Sequence, residues 1–104
     1  YVRGYAPVIN DRELTETARK AVAKALGEDK AVYVEKPMNF SEDFSAYADV
    51  SGKPCTFMLV KAGNAGHFAP LHNGTNTINE KVIPYGMTAM VAAALEYLDE
   101  NCGC

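Results

Sequence analysis

Apolar residues recur with helical spacing in two stretches of this chain. Leu14, Ala18, Ala21, Val22, Ala25 and Leu26 follow one another at intervals of mostly three and four, which predicts one stripe on a helix. Asn10 and Asp11 each offer a capping oxygen before it, and Glu13 and Glu16 suit its positively polarised first turns. Gly27 is the expected stop. The second stretch, Val82, Gly86, Met87, Met90, Val91, Ala94, Leu95 and Leu98, predicts a final helix. It starts near Asn79, with Glu80 in its first turn and Pro84 still inside, or slips to Ile83 because proline favours the first helical turn. The methionines here read as core filler. A short helix is expected over residues 41–47, capped by Ser41, with Glu42 and Asp43 in its first turn.

The segments between these helices read as extended. Residues 31–35 alternate weakly around Val32, Tyr33 and Val34, and Pro37 ends them. Residues 55–61 are rich in β-formers and apolar throughout, the pattern of a strand covered on both faces. Residues 1–5 read as a strand end, stopped by Pro7. Strand, helix, strand, short helix, strand, loop and helix in that order predict an α/β fold, a small and mostly parallel sheet with covering helices. A sheet of two or three strands has open edges. Partner strands, or a second copy in a homo-oligomer, are expected to cover them.

The 104 residues make one domain's worth of chain, with 48% hydrophobic and 22% charged residues, as in water-soluble globular proteins. The net charge of -3 and scattered basic residues give no electrostatic case for nucleic acid. No run of roughly 18 apolar residues suggests a membrane span, and no signal peptide is evident. Three cysteines, without CxxC spacing, suit neither a disulfide scaffold nor a four-cysteine zinc site. Cys55 reads as a buried thiol, Cys102-Gly103-Cys104 as a frayed tail, and a reducing, cytoplasmic setting is expected. The chain begins at Tyr1 rather than Met, as a piece of a longer protein would.

Candidate chemistry gathers where predicted strands end. Three such segments carry polar groups: Asn10-Asp11, residues 39–43 and residues 67–76. In open α/β sheets ligands bind at such exits. His72 stands on the last of them, between a strand and a helix, and imidazole both titrates near neutrality and binds metals. Were the two central strands parallel, Glu42 or Asp43 would approach it and give a carboxylate–imidazole pair. The plainer readings remain open: a surface loop histidine, and carboxylates that serve a helix N-terminus. Nucleophile elbows, phosphate loops and HExxH are absent, and two histidines do not complete a catalytic zinc site.

Pro37-Met38-Asn39-Phe40-Ser41-Glu42-Asp43-Phe44-Ser45-Ala46-Tyr47 resembles a segment of the zinc-dependent amidohydrolases related to aminoacylase, hippurate hydrolase and the auxin–amino-acid conjugate hydrolases. Leu71-His72, then Ile78-Asn79-Glu80-Lys81-Val82, Gly86 and an alanine-rich helix ending Tyr97-Leu98, resemble that family's closing segment. Pro7-Val8-Ile9-Asn10-Asp11 is similar to its re-entry from lid to catalytic domain. The match runs from about Tyr5 to Leu98, and departs from the family where Asn73-Gly74-Thr75-Asn76 replaces a Ser-Pro-aromatic stretch.

The resemblance implies the C-terminal part of a larger α/β hydrolase. Residues 1–8 would be a remnant of the lid or dimerisation domain and its linker, 9–101 catalytic domain, and 102–104 tail. The enzyme would cleave the amide of N-acyl amino acids or small peptides with two divalent ions, Zn, Mn or Co. His72 would be a metal ligand, and Asn39, Ser41, Glu42 and Asp43 would lie near the site. The other ligands and the general base belong to the family's N-terminal half, so this chain alone would be inactive. The alternative is a non-catalytic assembly domain that pairs through exposed sheet edges.

Overall fold

The computed structural model describes residues 4–38, 42–66 and 69–102. Its elements are three α-helices, α1 (Arg12–Leu26), α2 (Ser45–Ser51) and α3 (Ile83–Cys102), with 3₁₀ turns at Glu28–Lys30 and Glu80–Val82. α1 begins where the sequence requires. The Asp11 carboxylate accepts a hydrogen bond from the Leu14 amide at 2.8 Å, which satisfies one of the donors a helix start leaves open. At its end the Gly27 amide donates to the Ala23 carbonyl at 2.8 Å. α3 is prepared by Asn79, whose side chain accepts from the Lys81 amide at 3.1 Å. Pro84 is the second residue of α3, where its missing N–H costs no helical hydrogen bond.

The core lies where α1 packs against α3. Its buried apolar residues are small: Ala18, Ala21, Val22 and Ala23 from α1, and Ala89 from α3. Small side chains let the two helix backbones approach closely, at the expense of apolar area. At the rim, the Thr17 hydroxyl donates to Glu100 at 2.7 Å and the Lys24 ammonium lies 3.6 Å from Glu96.

The expected α/β fold, a small and mostly parallel sheet with covering helices, is not formed. The described residues contain helices and no β-strand, with a lone bridge residue at Asn64. The reason is visible in residues 55–61. The Cys55 carbonyl accepts from the Asp11 amide at 2.9 Å, and the Phe57 amide donates to the Asn10 side chain at 2.8 Å. The Thr15 and Thr56 hydroxyls meet at 2.8 Å. These bonds tie the segment to the start of α1, but they are single bonds, and a ladder needs a second extended segment in register. Leu59 and Val60 are consequently exposed, at 45% and 47%, where burial on both faces was expected, and Cys55 is half-buried. Residues 31–35 likewise form no strand. They are held from the side, with Tyr33 hydrogen-bonded to Glu16 and its ring 5.7 Å from the Arg19 guanidinium. With no sheet among the described residues, an assembly through its edges loses its basis. Of the expected strand end at residues 1–5, only Gly4 and Tyr5 are described, and they are irregular.

Two helical expectations also shift. Ala25 is exposed and Ala23 takes its place in the core. On α3 the predicted stripe faces outward: Met87, Met90, Val91, Leu95 and Leu98 are exposed, while Ala89 is buried at 5%. α3 is apolar on nearly all sides, so its period does not choose a face. The helix is nevertheless not a membrane candidate, for among the described residues no helix is long and apolar enough to cross one.

Candidate metal and substrate site

His72 stands on the connection between residues 55–61 and α3. The base of that connection is closed by the Asn79 amide, which donates to the Ala62 carbonyl at 2.8 Å. The Asn64 side-chain amide adds bonds to the Thr77 hydroxyl at 3.2 Å and carbonyl at 3.5 Å. Above this base the chain turns sharply. His72 adopts φ 62°, the one non-glycine residue with positive φ among the described residues. The Asn73 carbonyl accepts from the Asn76 amide at 2.9 Å, closing a turn one residue further on. The imidazole of His72 is exposed and makes no hydrogen bond with the described residues.

Glu42 and Asp43 stand before α2. The expected helix over 41–47 begins instead at Ser45 with Phe44 as its cap residue, so neither carboxylate lies in its first turn. The Glu42 carboxylate turns back to accept from the Phe44 amide at 3.3 Å, and the Asp43 carbonyl accepts from the Ala46 amide at 2.9 Å. Asn39 and Ser41, the other candidates, lie outside the described residues, as does His67. α2 sits on the extended chain through Phe44, whose ring centroid is 4.9 Å from that of Phe57. No hydrogen bond or ion pair joins Glu42 or Asp43 to His72.

Among the described residues no group of three His, Cys, Asp or Glu side chains could enclose a metal ion. One unpartnered imidazole fits a single coordination position and no more. The Lys30 ammonium hydrogen-bonded to Asp29 holds that carboxyl below its usual range, and Glu16 and Glu28 raise the Arg19 guanidinium through hydrogen bonds. Reading the sequence for ligands passed over Asn73, whose bonds organise the turn after His72. The signal was available in Asn73-Gly74, a turn dipeptide directly beside the histidine.

A model of peptidase family M20/M25/M40 matches residues 1–96. The chain belongs to that family. The amidohydrolase resemblance carried by the Glu42-Asp43-Phe44 and Leu71-His72 motifs therefore holds at family level. Two relatives from Arabidopsis thaliana agree. IAA-amino acid hydrolase ILR1-like 2 is 33% identical over 96 residues, which cover 91% of this chain and 21% of that protein. IAA-amino acid hydrolase ILR1-like 4 is 29% identical over 97 residues, covering 92% and 22%. The chain thus spans about a fifth of the length of these M20 relatives. No solved structure matches it. M20 proteins are hydrolases that generally depend on metal ions.

Proposed function

We propose that this chain is part of a metal-dependent amidohydrolase that cleaves the amide of N-acyl amino acids or small peptides. In this reading residues 9–101 belong to the catalytic domain and residues 1–8 lead into it. His72 would supply one imidazole nitrogen to a divalent ion, Zn, Mn or Co, of a two-metal site. The observation that carries the reading is family membership over residues 1–96 together with an exposed imidazole, bonded to none of the described residues, on a loop pinned at its base. The names of the two relatives support an amino-acid conjugate as substrate.

When bound, divalent ions would supply Lewis-acid chemistry toward the amide carbonyl and toward water. The reaction adds a water oxygen to the amide carbon and breaks the carbon–nitrogen bond, and the departing nitrogen takes up a proton. Glu42 occupies the position of the family's motif glutamate and is assigned to the surroundings of the site with Asn39, Ser41 and Asp43. Its carboxylate serves the Phe44 amide, and the general base is not assigned to it.

In the full-length enzyme His72→Ala is expected to lower turnover of an N-acyl amino acid by more than about 100-fold, since even outer partners of metal ligands matter 10- to 100-fold. Chelation should do the same, with recovery on adding back zinc, manganese or cobalt. Undiminished hydrolysis in both experiments would refute the assignment.

A further inference from the structure

We infer that the outward face of α3 is a docking surface for another part of the same M20 polypeptide, which covers it with an apolar face of its own. The inference rests on family membership and not on the metal role of His72. The packed side of α3 carries Gly86, Ala89, Ala93 and Glu96, at spacings of three and four. On the opposite side Met87, Val91, Leu95 and Leu98 recur at spacings of four and three, and all are exposed, as is Met90 beside them. This stripe runs about 17 Å along the helix. Residues 82–95 include no charged side chain. Single exposed apolar residues are ordinary, but a continuous apolar stripe marks a helix face that is covered by something.

Charge and area choose the occupant. A helix that lies on a membrane surface is rich in Lys and Arg on its polar face, and α3 has neither: its charges are Glu96, Asp99 and Glu100. A second copy would cover too little. The chain exposes 8772 Å², about 3,000 Å² beyond what a self-contained chain of 11.3 kDa shows. A standard protein–protein interface removes only about 800 Å² from each partner. The cover is therefore a larger body. The M20 relatives supply one, because the matched stretch is 21% and 22% of their length. Asp99 and Glu100 are exposed at the helix end that carries negative partial charge. The covering face should accordingly be apolar along the stripe and basic where it meets the last turn.

The test is peroxide footprinting of the full-length M20 protein, with oxidation of Met87 and Met90 followed by mass spectrometry. Each rate is compared with that of the same protein unfolded in urea, and the measurement is repeated over a wide range of dilution. Both methionines are expected to react at least about 10-fold more slowly in the folded protein, at every concentration, because a covered thioether is shielded from the oxidant. Leu95→Asp provides a second measurement. In the full-length protein it should lower the urea midpoint markedly, since it buries an unpaired charge, whereas on an open face such a change is nearly neutral. Oxidation as fast as in urea would show the stripe open to water and overturn the inference. Protection that is lost on dilution, or a Leu95→Asp protein that is folded, monomeric and newly reactive at both methionines, would place a second copy on the face and overturn it as well. Hydrolytic activity is not read in either experiment, so the reading of His72 stands or falls separately.

Discussion

Gly27 ends α1 at φ 106° and ψ 150°, in or beside a region essentially reserved for glycine. A β-carbon there would also meet the Asp29 carboxylate at 2.9 Å, although that oxygen ends a short exposed side chain and can move. The backbone, not the contact, dominates the cost. Gly27→Ala is expected to destabilise the chain by about 1–3 kcal/mol, measurable as a lower urea midpoint. An unchanged midpoint would mean that the chain leaves α1 differently. His72 has a milder form of the same constraint, because the left-handed helical region costs a residue with a side chain only about 1–2 kcal/mol. The glycine stop was evident from the sequence because glycine is the usual solution after a helix. Nothing in the residue name of a histidine announces a positive φ.

At the scale of elements, α1 and α3 meet through alanines. Ala21 and Ala89 are 3% and 5% exposed, whereas Leu95 is 61% exposed on the same helix as Ala89. A larger side chain at position 89 must push the helices apart. Ala89→Leu is expected to cost about 1–3 kcal/mol, while Leu95→Ala should stay within about 0.5 kcal/mol, both read from urea unfolding followed by circular dichroism. The opposite ranking would mean that the predicted stripe, not the alanine face, is the packed one. The helices themselves were legible because capping and periodicity are local. As helix caps, Asp11, Gly27 and Asn79 act within four residues of themselves. The sheet was not, because an apolar run such as 55–61 specifies an extended backbone without specifying a partner. The candidate site divides in the same way. His72 was found by residue type, whereas its relation to Glu42 was argued from a parallel sheet that the described residues do not form.

The molecule as a whole is flat, 46 × 43 × 21 Å, and its thin dimension is about two helix diameters. Its accessible surface is 8772 Å². A self-contained globular chain of 11.3 kDa would expose about 5,700 Å². Val32, Tyr33 and Val34, Leu59 and Val60, and the outward face of α3 all contribute to the excess. Burial of apolar area is the main favourable term in folding, and here it falls short of what a chain this long normally secures. The isolated 104-residue chain should therefore unfold over a broad temperature range. Its calorimetric enthalpy should lie well below the roughly 60–80 kcal/mol typical of a domain of 100 residues. It should also bind a hydrophobic dye before unfolding, as loosely packed states with accessible apolar surface do. Scanning calorimetry decides the matter. A sharp transition of about 70 kcal/mol in a monomer would show that the alanine interface between α1 and α3 suffices. A broad, weak one would show that the exposed faces of α3 and of residues 55–61 need cover before the fold is secure.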